Sequence, residues 1–282
     1  MRYVAIVTDS TADLPPELLE KYDIAMVPLK VLFGQEVLRD GVDITSDRFY
    51  DRLKKGERSG TSQPSPGEFL ATYTRLLALY PSVISLHISG GLSGTVQSAQ
   101  VARSMLADKD ISVIDTRTTS VAQGYIVLRA AKMALEGHSR DEILALVHTL
   151  IPQVKAYFVV DSLEYLQRGG RIGKAQGFVG TVLNIKPICT IREGIVYPYE
   201  KVRGREKALQ RLLELLTQAA AVQPIGYSLV HGDFPEGVQY LEEKASEILG
   251  YGPDVVVRAG AVIGTHTGPG LAGVIFYPRI QE

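Results

Sequence analysis

The chain has one cysteine, Cys189, and no tryptophan in 282 residues. A single thiol can form neither an internal disulfide nor a thiolate cage for a metal, so stability has to come from packing in a reducing compartment. The cytoplasm is the expected location. Charge of neither sign is in excess, with 30 Lys and Arg against 31 Asp and Glu. Binding a nucleic acid through the overall field needs a basic surplus, so no nucleic-acid partner is expected. No apolar run reaches the roughly 18 residues that span a membrane. Asp9 and Asp13 fall where a signal peptide would place its apolar centre. The chain is therefore expected to be neither exported nor membrane-spanning. With 45% hydrophobic and 22% charged residues it has an ordinary globular composition, long enough for one large domain or two average ones.

Short β-rich apolar runs alternate with longer helical patterns, the signature of βα units around a largely parallel sheet. Arg2 to Val7 reads as a buried strand, Thr8-Asp9-Ser10 as a turn, and Pro15-Pro16-Glu17 as a helix start with proline in the first turn. Ser65 with Glu68, and Ser139 with Glu142, form capping boxes for two further helices, the second stopped by Pro152. Between them lie a strand over Val83–Ile88, a glycine-rich turn over Ser89–Gly94, a helix from Thr95, a strand over Ile111–Ile114 and a helix ending near Gly137. A boundary at Pro152 divides the chain into residues 1–153 and 154–282. The second part opens with a strand over Tyr157–Val160, then a helix stopped by Gly169-Gly170, a helix around Phe178 and a hairpin turning at Arg192-Glu193-Gly194. The spacing of Leu209, Leu212, Leu213 and Leu216 predicts a helix with one face on a sheet. Strands over Ile225–Val230, Val255–Val257 and Ala272–Tyr277, with a helix over Pro235–Leu249, complete a second α/β lobe. No internal repeat of fixed period is present.

The turn Ser89–Thr95 joins a strand to a helix, so it presents free backbone N–H groups and the positive end of the helix dipole, a setting that holds anions. Its glycines, Gly94 among them, let the backbone approach a ligand, and the hydroxyls of Ser93 and Thr95 add donors. A plain helix cap by Ser93 is the competing role. A second hydroxyl-rich turn, Thr61-Ser62-Gln63-Pro64-Ser65, precedes another helix, and Ser65 as a cap accounts for part of it. His266 lies in a turn-rich stretch between apolar strands, where an imidazole can donate to an anion or simply be structural. Gly91-Leu92-Ser93-Gly94-Thr95 fails the nucleophile-elbow pattern at its last position, although Ser93, Asp233 and His266 follow the chain order of a hydrolase triad. Gly173-Lys174 is no P-loop, because Arg168 and Ala175 stand where glycine and a metal-binding hydroxyl belong. Gly268–Gly273 fits the dinucleotide spacing but leads into a strand, so no nucleotide cofactor is expected. The five histidines lack metal-ligand spacing, so no metal is expected either. Arg168, Arg171 and Lys174, with Arg203, Arg205 and Lys207, form two basic clusters that suit an acidic partner or a phosphate.

Taken in order, VTDSTADL at Val7–Leu14, TSQPS at Thr61–Ser65, SGGLSGT at Ser89–Thr95, RGGRI at Arg168–Ile172 and GTHTGPG at Gly264–Gly270 resemble the DegV family of bacterial fatty-acid-binding proteins. The resemblance spans almost the whole chain and departs at Gly90, where a serine is usual in the family. It implies two α/β lobes, the first with a mainly parallel sheet and the second mixed, with a long-chain fatty acid between them. It further implies that Thr61 and Ser93 hold the carboxylate, with His266 in the same hydrogen-bond network and Gly94 and Thr95 beside it. On the same ground the chain is no enzyme. It presents the acid to a separate ATP-dependent fatty-acid kinase subunit, which forms an acyl phosphate for phospholipid synthesis, and Arg171, Arg203 and Arg205 are candidates for docking that partner or steadying phosphate. A serine hydrolase using Ser93, Asp233 and His266, or a binder of a small phosphorylated metabolite, are the alternatives from the residues alone.

Overall fold

Every residue of strand β1 (Val4–Asp9) is buried, as a strand covered on both faces requires. The computed structural model describes residues 3–178 and 184–279. After β1 come α1 (Pro16–Lys21), β2 (Ile24–Val27), β3 (Lys30–Phe33), β4 (Glu36–Arg39), α2 (Ser46–Lys54), β5 (Gly60–Ser62) and α3 (Pro66–Leu77). The first lobe continues through β6 (Ser82–His87), α4 (Thr95–Ser104), β7 (Asp110–Asp115), α5 (Ser120–Glu136) and α6 (Arg140–Leu150). Its main sheet is parallel throughout, in the order β2-β1-β6-β7. A separate antiparallel sheet has the order β4-β3-β5.

The second lobe holds β8 (Lys155–Val159), α7 (Glu164–Arg168), β9 (Ile185–Arg192), β10 (Ile195–Arg203), α8 (Arg205–Val222) and β11 (Ile225–Gly232). It closes with α9 (Pro235–Leu249), β12 (Val255–Arg258), α10 (Ala261–Thr267) and β13 (Leu271–Pro278). Its sheet runs β10-β9-β8-β13-β11-β12 and is mixed: β11 and β12 are parallel and the other neighbours antiparallel. The architecture is thus two α/β lobes, one with a parallel sheet and one with a mixed sheet.

Local signals account for several of these elements. Both capping boxes form, at Ser65 with Glu68 and at Ser139 with Glu142. Gly137 ends α5 in the left-handed conformation. Leu209, Leu212 and Leu216 of α8 are buried on the second sheet. Other expectations need correction. No element was expected between residues 24 and 62, where the structure has four strands and α2. The expected helix around Phe178 is a 3-10 turn over Gly173–Phe178; residues 179–183, like Arg2, lie outside the described residues. The stretch around His266 read as turns, yet it belongs to α10.

The reason for this last difference also explains how the lobes are joined. No side chain next to Ala261 in sequence caps α10. Its caps come from the first lobe, where Asp13 Oδ1 accepts from Gly260 N at 2.9 Å and Asp40 Oδ1 from Ala261 N at 3.0 Å. These carboxylates satisfy N–H groups that a helix start leaves free. The helix then packs Ala261 and Val262 into an apolar cluster with Leu29, Val31, Phe49 and Tyr50 of the first lobe. In exchange, α5 places Ile126, Val127 and Ala130 in a cluster with Val230, Ile275 and Tyr277 of the second. Each lobe therefore buries one helix of itself against the other.

Gly264 is the tightest point of this exchange. A Cβ there would stand 2.5 Å from Phe49 Cε1 and 2.8 Å from the Tyr50 hydroxyl, and both rings are fully buried. Helix propensity alone favours Gly264→Ala by about 1 kcal/mol. The clash reverses that sign, and a net loss of about 1–3 kcal/mol is expected. A lowered urea midpoint for the variant checks it; an unchanged or raised midpoint contradicts the packing described.

Candidate functional site

In the first sheet the chain adds β2 on one side of β1 and β6 on the other, which leaves a crevice beyond the carboxyl ends of β1 and β6. Asp9 braces this edge: its Oδ2 accepts from Ile88 N at 3.0 Å and lies 2.9 Å from His87 Nδ1. The turns that follow β6 and β7, the strand β5, and the helices α7 and α10 enclose a cavity with about 950 Å³ of space free of protein atoms, part of it open to solvent. Its wall is largely aliphatic and aromatic, including Ile88, Phe158, Ile191, Val230, Ile263 and Ile275. Against that wall stand Thr61, Ser93, Arg171 and His266. Three of these were expected to hold a ligand, and the structure brings them into one cavity from sequence positions more than 200 apart.

Thr61 Oγ1 lies 2.8 Å from His266 Nε2. The other ring nitrogen, Nδ1, is buried with no partner. It faces Gly169, where a Cβ would stand 2.1 Å from it, so that glycine leaves room for the ring. Burial, with the charges of Arg171 and Arg168 behind it, pushes the imidazole down to about 4, so His266 is neutral at physiological pH. One proton remains on the ring. On Nε2 it is donated to Thr61 and leaves Nδ1 as an unpaired acceptor; on Nδ1 it would be a buried N–H with no acceptor, the costlier arrangement. The Nε2–H form also frees the Thr61 hydroxyl to donate to a further oxygen.

Ser93 was weighed as a helix cap. The residue at that position is Gly94, which offers no side chain, and Ser93 Oγ instead lies 2.9 Å from Thr95 Oγ1. Gly94 is pressed against the side chain of Gln63, whose amide nitrogen would be 2.6 Å from an added Cβ. Arg171 donates from Nε to Leu92 O at 3.0 Å and from Nη1 to Gly169 O at 2.6 Å, so the second lobe holds the glycine-rich turn of the first beside the cavity. Arg203 and Arg205 do not line it. Arg205 pairs with Asp161 and stacks on Phe234 at 4.4 Å; Arg203 is exposed.

The triad alternative is not assembled. Asp233 pairs with Arg258 at 2.7 Å and Lys54 at 2.8 Å, and the His266 nitrogen that an orienting carboxylate would occupy has no partner. Ser85, His87 and Asp9 do form a linked chain, with Ser85 Oγ to His87 Nε2 at 2.6 Å and Tyr73 on Ser85 at 2.8 Å. All three are fully buried in the first lobe, and none of them lines the cavity. Among the described residues no group of three or more His, Cys, Asp or Glu could hold a metal ion, and no helix is long and apolar enough to cross a membrane. Sequence reading missed Thr119 and Ser120 on the cavity wall; the available signal was their place in a polar turn after a strand, like that of Ser93.

A family model described as an uncharacterised protein of the DegV family matches residues 3–279. The protein DegV of Bacillus subtilis is 39% identical over 274 residues, covering 96% of this chain and 98% of its own length. A DegV domain-containing protein of Caldanaerobacter subterraneus is 39% identical over 279 residues, covering 98% and 99%. Among solved structures, a fatty acid binding DegV family protein from Thermus thermophilus superposes with a TM-score of 0.91 at 38% identity, covering 99% of this chain and 100% of that one. DegV of Bacillus subtilis, described as a fatty acid binding protein, gives 0.90 at 37% identity with the same coverage. With the family match running nearly end to end, this chain belongs to the DegV family.

Proposed function

We propose that the chain binds one long-chain fatty acid in the cavity between its lobes and presents the carboxylate to a separate ATP-dependent fatty-acid kinase subunit, with no turnover of its own. The observation that carries this reading is the union, in one cavity, of an apolar wall with Thr61, Ser93, His266 and Arg171. An acyl chain of about 15 methylenes brings roughly 12 kcal/mol of gross transfer free energy at about 0.8 kcal/mol each, before ordering and association costs. The carboxylate gains nothing from burial and is excluded unless donors meet it. The hydroxyls of Thr61 and Ser93 supply them, His266 holds Thr61 with its proton toward the ligand, and Arg171 supplies the one cation among the described wall residues. The Thermus thermophilus and Bacillus subtilis relatives are described as binding fatty acid, which supports the same ligand class here.

In the presented complex a kinase would transfer the terminal phosphoryl group of ATP to a carboxylate oxygen, forming the acyl phosphate and leaving ADP. This chain would hold the accepting oxygen still and accessible. Arg203, at the exposed end of β10, is suited to an acidic face of such a partner. Acyl phosphate formed in this way would enter phospholipid synthesis. A cytoplasmic location fits that role.

Replacing both hydroxyls, Thr61→Ala with Ser93→Ala, removes two hydrogen bonds to a charged group, each worth about 1.5–3 kcal/mol. Fatty-acid retention should fall about a hundredfold or more, read by mass spectrometry of extracted lipid; undiminished recovery contradicts the role. With the kinase subunit and ATP added, Arg203→Ala should slow acyl-phosphate formation while leaving lipid retention as it is. For His266 the folded ring titrates near 4 and the unfolded one near 6.5. Stability from its neutral burial is complete above pH 6.5 and is lost as pH falls toward 4, because the unfolded chain takes up the proton first. Urea midpoints at pH 7 and pH 5 should therefore drop more for the native chain than for His266→Gln; equal drops contradict the neutral ring.

A further inference from the structure

Among the cavity-wall hydroxyls that the reading above does not use are those of Thr119 and Ser120. Thr119 Oγ1 is buried against the cavity with no hydrogen-bond partner. Ser120, which opens α5 with φ +55°, also lines the cavity, and its Oγ lies 2.5 Å from Asp13 Oδ2. A serine in the left-handed region is held there against its preference, so the surroundings place that hydroxyl firmly. Asp13 is itself fixed at φ +50° and its Oδ1 accepts from Gly260 N. Asp13 also lines a second opening, shared with Asp9, Asp40, Asp47 and Arg258.

We infer that Ser120 is a further ligand-contacting hydroxyl of the fatty-acid cavity and that Asp13 is its positioning residue, a proton on Asp13 turning the Ser120 hydroxyl toward a ligand oxygen. The hydrogen-bond count gives the reason. When Asp13 is a carboxylate, the Ser120 proton is spent on Oδ2, and only lone pairs face the cavity. When Asp13 is protonated, Oδ2–H donates to Ser120 Oγ, and the serine proton is released to donate in turn. Thr119, one residue away, offers a second hydroxyl to the same oxygen-bearing ligand.

The surroundings favour the protonated form. Burial is the largest cause, and the charges of Asp40 and Asp9 add to it against the hydrogen bonds from Ser120 and Gly260; together they push Asp13 up to about 8. Asp40, on the strand side, is likewise pushed up by burial, to about 6, and its Oδ2 has no partner. Tyr50 from α2 is pushed above its ordinary range. Arg258 from β12, the one cation lining the opening among these, is held by Asp47 and Asp233. At pH 7 Asp13 therefore keeps its proton, and above about 8 it loses both the proton and the donor it sets up; its new charge then repels a carboxylate in the same direction.

The inference rests on the fatty-acid reading, and the test separates the two. Lipid-stripped protein is titrated with palmitate, and with a hydroxylated C18 acid, by calorimetry from pH 6.5 to 9. Native protein should lose affinity about fivefold or more as pH passes 8, whereas Asp13→Asn, whose amide donates to Ser120 at every pH, should stay flat. Ser120→Ala should bind more weakly at pH 7 and show a smaller pH step than native protein. A loss for both acids places the ligand oxygen in the carboxylate; a loss for the hydroxylated acid alone places it on the chain. A Ser120→Ala variant that binds both acids as tightly as native protein with the same pH step overturns the inference and leaves the carrier reading intact. Failure of native protein to bind either acid overturns the carrier reading itself.

Discussion

The hydrogen bond between Thr61 and His266 is the contact on which the polar end of the cavity depends. It joins residues 205 apart, one from a short edge strand of the first lobe and one from a helix of the second. Because His266 stays neutral, it orients a hydroxyl without adding a second positive charge beside Arg171. The alternative, a buried imidazolium between two arginines, is opposed by desolvation and by both neighbouring charges.

The position of His266 depends in turn on α10, a seven-residue helix that has no cap of its own. Two aspartates from the first lobe, Asp40 buried and Asp13 half-buried, hold its start, and Phe49 and Tyr50 press on its middle. The site is therefore assembled by exchange: α10 is completed by the first lobe, and α5 is buried in the second. Separation of the lobes would uncap one helix, expose the other and take His266 from Thr61 in a single event. Arg171 works the same way on the glycine-rich turn, since its guanidinium bridges carbonyls of Leu92 and Gly169 in different lobes.

How far the sequence could be read follows from the range of the signals involved. Ser65 with Glu68 and Ser139 with Glu142 are capping boxes closed within four residues, and both helices begin as expected. The strand, turn and helix from Val83 to Ser104 were equally legible, because apolar run, glycines and helix start are adjacent in sequence. The short strands β2 to β5 were not, since three to four residues carry too little periodicity to declare a pairing partner. The Ser93–Asp233–His266 order was misleading, because chain order says nothing of which cation a carboxylate meets, and Asp233 meets Arg258 and Lys54.

Composition and local pattern determined on their own that this is a two-lobed α/β protein, and the motifs named the residues to watch. Only the tertiary structure decided that Thr61, Ser93, Arg171 and His266 share one oily cavity, that Arg203 and Arg205 stay outside it, and that Thr119 and Ser120 belong to its wall. The physical reason is distance along the chain. Caps, turns and amphipathic faces are written within a few residues of one another, whereas the cap of α10, the neutrality of His266 and the proton on Asp13 are set by groups brought together only when the lobes close.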